Sequence, residues 1–332
     1  VNATVAGAAG SGDGVELLGG SASFSLYTTS NNEGSGVRVS GGVGHRIQNG
    51  LIMGNASGLV SSIPASQVNA RFNNWDSPLG PSGSGFGSGQ SVSGGAFFDP
   101  WLTASPNSNQ YYRDTAIVGP RFNPLLGVAR WDLTSILAGT WTLKVRDASQ
   151  IVVRTLVASG TTASLTWDGK NDAGVAQPDG TYTYSLANVS AGGAIATPAN
   201  GRLYVDSSLR VELTSPSAGQ TLSNVYSNGD RVFPIVGSAS MSQLSGWTLE
   251  YGSGSAPTSW TTLASGTSSV LNGTLATWDT KNLPNGPYSL RLSGSDTFGS
   301  QFVSTLALTV GHFDMASNKW EFNPRNGESV AY

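Results

Sequence analysis

Groups able to do acid–base or nucleophilic chemistry are sparse in this chain and stand far apart. There are two histidines, His45 and His312, and no cysteine. A Ser-His-Asp centre needs a histidine oriented by an acid and facing a nucleophile. Neither histidine has such a neighbourhood in the sequence, so both are expected to be structural or solvent-facing. The absence of cysteine excludes disulfides and thiolate metal sites. In residues 1–105 the acids are Asp13, Glu16, Glu33, Asp76 and Asp99, and the bases are Arg38, Arg46 and Arg71. No carboxylate pair suited to glycoside hydrolysis is evident among them.

A denser oxygen cluster is Asp168, Asn171, Asp172 and Asp179. Calcium takes roughly six to eight such oxygens, which makes this loop the one metal candidate. The spacing matches no complete calcium-loop signature, and Asp-Gly and Asn turns account for the same residues without metal. No other cofactor is expected. Trp247 and Trp260, flanked by Thr and Gly, are the aromatics least committed to a core and so the candidates for stacking on sugar. The glycine cluster between Gly80 and Gly89 lacks the strand–helix setting of a phosphate loop and reads as plain loop.

Composition says which elements must hold these groups. Of 332 residues only 11% are Asp, Glu, Lys or Arg, while 44 are Gly, and the hydrophobic fraction of 38% includes 9 Trp, 10 Tyr and 11 Phe. Small polar residues in place of charges suit short strands and tight turns, and suit helices poorly. A net charge of −3 without a basic cluster gives no footprint for nucleic acid. No run approaches the ~20 apolar residues of a membrane span. The chain starts at Val1 without a signal peptide, and a processed or truncated start is expected. Low charge and Ser/Thr/Asn richness point to an extracellular or cell-surface setting.

The first 105 residues repeat. Gly14-Val15-Glu16-Leu17, Gly36-Val37-Arg38-Val39 and Gly58-Leu59-Val60 recur at steps of 22 residues. A period of this size carrying alternating apolar positions predicts stacked coils with short strands. Val15, Val37 and Leu59 then share one interior column, and Leu17 and Val39 another. Glu16 and Arg38 take equivalent places in successive coils, which predicts a cross-coil ion pair. Asn32, Asn49 and Asn55 fall at turns, where Asn tolerates left-handed backbone and can bond along a ladder.

The stretch Asn73-Asn74-Trp75 through Gly80-Pro81 to Phe97-Phe98-Asp99-Pro100-Trp101-Leu102 resembles the closing segment of right-handed parallel β-helices of the pectate-lyase-like superfamily. The resemblance implies that Trp75, Phe97, Phe98 and Trp101 cover the open end of the stack. Further on, Trp167-Asp168-Gly169-Lys170 and Pro178-Asp179-Gly180-Thr181-Tyr182 resemble the Ig-like domain of the flagellar hook-capping protein, FlgD. That implies a sandwich with Trp167 and one of Tyr182 or Tyr184 in its core. A third region echoes the pattern in Trp278-Asp279-Thr280-Lys281-Asn282 and Pro284-Asn285-Gly286-Pro287-Tyr288, and resembles the Ig-like modules of large bacterial exported proteins, with Trp278 and Tyr288 as its structural pair. Phe122-Asn123-Pro124 with Gly127 returns as Phe322-Asn323-Pro324 with Gly327, the start of a further module.

The expected fold is therefore all-β: the end of a right-handed parallel β-helix over 1–105, Ig-like sandwiches over 106–206 and 207–311, and a truncated module over 312–332. The function this predicts is a non-catalytic structural or adhesive module, able to assemble into filaments or a surface layer. Its partners would be other copies of itself, surface proteins or polysaccharide. The alternative is an accessory region of a secreted polysaccharide-active enzyme or peptidase. A further expectation is strand exchange, with the Trp320–Tyr332 segment adding to a neighbour's sheet.

Overall fold

The computed structural model describes residues 3–6, 12–113, 115–118, 120–223, 231–297 and 300–312. Within them the chain is all-β, and one 3-10 turn at Ala65–Gln67 is the sole helical element. No described helix is long and apolar enough to cross a membrane. Two compact units are formed, Val1–Val205 and Asp206–Tyr332.

The first unit opens with three sheets visited in rotation. One holds β1 (Ala3–Ala6), β4 (Tyr27–Ser30) and β7 (Leu51–Met53). The second holds β2 (Val15–Leu17), β5 (Ser35–Val39), β8 (Ser57–Ser61), β11 (Gly89–Gly94) and β10 (Pro81–Gly83). The third holds β3 (Ser23–Ser25), β6 (His45–Gln48) and β9 (Val68–Asn69). The pairings within these sheets are parallel. Val15 lies beside Val37, Val37 beside Leu59, and Leu59 beside Val92. Val37, Leu59 and Val92 are fully buried, Val15 is half-buried, and Ile47, Ile52 and Val68 fill the same interior from the other two sheets. The step of 22 stops at Leu59, because the segment with the Gly80–Gly89 cluster is inserted before β11.

Of the asparagines expected at left-handed turns, Asn49 sits at φ 52°, while Asn32 and Asn55 do not have positive φ; the left-handed position beside Asn32 is Asn31, at φ 54°. Asn32 donates its backbone N–H (3.2 Å) and its Nδ2 (2.7 Å) to Asn55 Oδ1, and Gln90 Oε1 accepts from the Asn55 N–H at 3.0 Å. Asn49 leaves the ladder and donates to the carbonyl of Tyr112 at 2.7 Å. Glu16 and Arg38 are register partners, yet the ion pair differs from expectation. Glu16 is exposed, and Arg38 turns to Asp13, with Nε on Oδ2 and Nη2 3.2 Å from Oδ1. The Arg38 guanidinium holds the Asp13 carboxyl below the usual carboxylate range.

The same unit continues into a sandwich built of β12 (Trp101–Leu102), β13 (Ala116–Val118), β14 (Arg121–Phe122), β15 (Ala129–Arg146), β16 (Val152–Trp167), β17 (Gly180–Ser190) and β18 (Ala199–Val205). Strand order is β12-β18-β17-β15-β13, with β14 beside β18 and β16 beside β15. Its core holds Trp131, Trp141, Trp167, Tyr112, Tyr182 and Tyr184. Phe72 and Leu102, from the coil region, belong to that same core. Trp101 and Leu102 pair antiparallel with Asn200 and Ala199. Residues 101–102 thus join the three-sheet region to the sheet that follows, and the 105/106 boundary drawn from sequence falls within one compact unit.

The second unit has β19 (Arg210–Ser215), β21 (Val232–Ser240) and β24 (Val270–Asp279) in one sheet. Its other sheet runs β20 (Thr221–Leu222), β26 (Gln301–Val310), β25 (Gly286–Asp296), β22 (Leu244–Ser253) and β23 (Thr261–Gly266). Both face one core that includes Trp247, Trp278, Tyr288, Leu249 and Leu290. The further module expected from Phe322-Asn323-Pro324, and the Trp320–Tyr332 exchange segment, lie outside the described residues.

Candidate functional site

The ring of each histidine is engaged in a hydrogen bond within its own unit. His45 is buried, accepts the Ala22 N–H on Nδ1 at 3.2 Å, and so places its proton on Nε2, which lies 2.9 Å from the Gly41 carbonyl. His312 lies 2.7 Å by Nε2 from Thr280 Oγ1, while the Thr280 hydroxyl donates to the Arg231 carbonyl at 2.9 Å. The hydroxyl's proton being used there, His312 Nε2 is the donor. Its Nδ1 is buried with no partner, and burial, then the Arg231 charge, pushes its pKa down.

A dense cluster of charged groups and aromatics sits where coils meet sandwich. The Asp99 carboxylate accepts the Arg202 N–H at 3.1 Å on Oδ2 and lies 3.4 Å from the Tyr184 hydroxyl on Oδ1. Arg71 Nε donates to the Asp99 carbonyl at 2.9 Å. Arg202 stacks over Phe86 (4.5 Å) and Trp101 (5.5 Å), and Arg71 over Phe97 (4.7 Å). Gly201 makes the approach feasible: a Cβ there would lie 2.3 Å from Asp99 Oδ1 and 2.4 Å from the Tyr184 ring. Desolvation raises the Asp99 pKa to about 6, against the pull of Arg202 and Arg71. Its side chain keeps 29% of its surface in solvent, so water and cations share the charge. The arrangement clamps coil to sandwich. It presents no nucleophile next to a base.

Of the expected lid, Trp75 and Trp101 are buried, and Trp101 Nε1 donates to the Pro78 carbonyl at 2.9 Å. Phe98 packs partly buried, but Phe97 is 42% exposed and serves as the Arg71 platform instead. Asn73 explains the Asn-Asn-Trp stretch: its Oδ1 accepts from the Tyr27 hydroxyl and the Gly50 N–H, and its Nδ2 donates to the Ala70 carbonyl.

In the sandwiches Trp167 meets Tyr182 edge-on at 5.2 Å, and Trp278 meets Tyr288 at 6.0 Å. The Tyr182 hydroxyl donates to the Pro178 carbonyl at 2.7 Å, the Tyr288 hydroxyl to the Pro284 carbonyl at 3.1 Å. Gly180 and Gly286 turn the chain between, at φ 149° and 148°. Tyr184 is buried as well as Tyr182.

In the calcium-candidate loop, Asp168 Oδ1 accepts the Lys170 N–H, Asn171 Oδ1 those of Ala173 and Val175, and Asp172 Oδ1 that of Thr155. Asp179 makes its own interactions. Among the described residues no group of three or more His, Cys, Asp or Glu is placed to hold a metal. Trp247 is buried with Nε1 on the Ser268 carbonyl, and Trp260 is half-buried with Arg291 4.1 Å over its ring.

Residues 129–192 match the FlgD Ig-like domain family. No curated protein matches the chain. Among solved structures, a tetra-tandem repeat from the extending region of a large adhesion protein aligns at 11% identity over 63% of this chain and 50% of that one, with TM-score 0.21. The fibronectin(III)-like modules of Clostridium thermocellum CbhA align at 13% identity over 60% and 94%, TM-score 0.23. FlgD from P. aeruginosa aligns at 19% identity over 28% and 70%, TM-score 0.21. The family match spans Trp167 and Tyr182.

Sequence reasoning missed Phe72 and Tyr112, whose rings stack at 4.5 Å across the coil–sandwich junction, and the partners Arg71 and Arg202. No local pattern marks them, because each is paired with a residue far away along the chain.

Proposed function

We propose that the chain is a non-catalytic structural or adhesive module of a bacterial surface or extracellular protein. On this reading residues 1–105 are the last coils of a right-handed parallel β-helix, followed by two Ig-like sandwiches over 106–206 and 207–311. The parallel register of Val15, Val37, Leu59 and Val92 supports the coil assignment. The FlgD family match supports the sandwich that follows.

The observation that carries the reading is the junction. Coil and sandwich share β12, a core and the Asp99–Arg202 clamp. Ordered side chains there secure one module to the next. A rigid joint is what a load-bearing or display arm requires, and the polar groups in it are consumed in holding it. Incubating the chain with a panel of soluble polysaccharides and peptides should yield no cleavage, while whole-cell or polymer pull-down measures adhesion. Robust turnover by the chain alone would overturn the proposal in favour of an enzyme.

A further inference from the structure

Among the described residues, the second half of β16 is an edge strand that pairs with β15 alone. Its register with β15 places Thr162 beside Thr134, Ser164 beside Asp132 and Thr166 beside Arg130. Thr134 turns its backbone to the opposite side, where its carbonyl accepts the Arg113 N–H and its N–H meets Thr115 Oγ1. Asp132 and Arg130 pair on that side with Ala116 and Val118 of β13. By the alternation of an antiparallel ladder, Thr162, Ser164 and Thr166 point their N–H and C=O groups away from β15. All three residues are exposed.

Proteins blunt such edges with charges, bulges, short strands or covering loops. This chain does so at several of its other sandwich edges. Asp172 covers the first half of β16, donating its N–H to the Val153 carbonyl and accepting the Thr155 N–H. Strand β24 is irregular, with Asn272 at φ 48°, and β19 carries the Arg210–Glu212 ion pair. From Thr155 to Trp167 β16 has neither a charge nor a proline.

We propose that residues 162–166 of β16 pair antiparallel with the same residues of a second copy, about a two-fold axis at Ser164. The sequence Thr-Ala-Ser-Leu-Thr is self-complementary in that register. Thr162 meets Thr166 of the other copy, and Ser164, whose hydroxyl donates to Asp132 Oδ1 of its own chain at 2.9 Å, faces its mate through backbone groups. Threonine pairs such as Thr162–Thr166 favour cross-strand association, and no like charges oppose each other. Three outward residues on each strand can exchange about six backbone hydrogen bonds. The proposal rests on reading the chain as a structural module, but fails separately from it: a chain that neither cleaves nor pairs loses this interface alone.

The chain has no cysteine, so Ser164→Cys gives a clean cross-linking readout. Residues facing each other as a hydrogen-bonded pair have Cα atoms about 5.5 Å apart, within disulfide range. Mild oxidation should yield a covalent dimer of Ser164→Cys, and much less of Thr162→Cys. Sedimentation equilibrium should show the unmodified chain dimerising. Thr162→Lys with Thr166→Lys, which sets like charges opposite, should weaken association at least about tenfold. Thr162→Lys with Thr166→Glu should restore it, with both double variants melting like the parent. A parent that stays monomeric, a Lys/Lys variant that dimerises equally well through another face, or a Lys/Glu variant no better than Lys/Lys would each overturn the proposal.

Discussion

The two sandwiches use one corner and close it differently. In each, a tryptophan packs edge-on against a tyrosine whose hydroxyl donates to a proline carbonyl four residues back. In each, a short strand runs parallel to the last strand, β14 on β18 and β20 on β26. The first sandwich closes its end with Phe122, 5.8 Å from Trp167, and with Pro124 against Gly169, and it receives β12 from the coils. The second brings Tyr251 to Trp278 at 5.1 Å and stacks His312 on Phe233. The corner is local and portable, whereas what plugs the open end depends on what the chain does next.

Removing a tryptophan is the severest test of that likeness. Trp167→Ala should cost about 3–5 kcal/mol and lower the unfolding transition of the first unit only, with Trp278→Ala doing the same to the second. Calorimetry that showed both transitions falling together for either variant would mean that the corners are not independent. Gly201→Ala probes the difference instead, because among the described residues the clamp it lines belongs to the first unit. Overpacking against Asp99 and Tyr184 should cost about 1–3 kcal/mol, while Gly192→Ala, where a Cβ meets nothing within 4 Å, serves as the control. Tyr182→Phe and Tyr288→Phe should each lose about 0.5–1.5 kcal/mol in denaturant melts. A loss in one unit only would show that the hydroxyl–carbonyl bond is not the shared device.

The units should also answer acid with opposite signs. Asp99 binds its proton more tightly folded than unfolded, so its contribution favours the first unit below about pH 4 and is lost as pH rises through about 6. His312 has its pKa lowered, so the stability tied to its neutral ring is full above 6.5 and declines as pH falls below that value. Melts between pH 4 and 7 on Asp99→Asn and His312→Gln should remove the slope from the matching transition alone. The smallest effect is expected from calcium. The Asp168–Asp172 oxygens already accept backbone N–H groups, so adding calcium or chelator should leave the first transition in place, and a clear upward shift with calcium would reinstate the metal site.

Legibility followed the range of each interaction. The Val15–Val37–Leu59 column could be read from spacing, since its members recur at fixed steps, whereas Trp167, Tyr182, Trp278 and Tyr288 were expected in cores from the resemblance to Ig-like domains. The Arg38 partner was misread because register alone placed Glu16 beside it, while side-chain reach chose Asp13. Phe97 was expected in the lid by its neighbours' pattern, yet it is needed outside as a surface for Arg71.

The amino-acid order by itself determined that strands form, where they turn, and which aromatic residues anchor them, because Gly, Asn, Pro and alternating apolar side chains act within a few residues of themselves. Tertiary structure alone decided that Phe72 and Leu102 join the core of the first sandwich, that Asp99 is enclosed by Arg71, Arg202 and Tyr184, and that among the described residues one half of β16 is covered while the other pairs with β15 alone. Those outcomes depend on which distant surfaces meet, and burial strengthens or weakens a charge only once they have met.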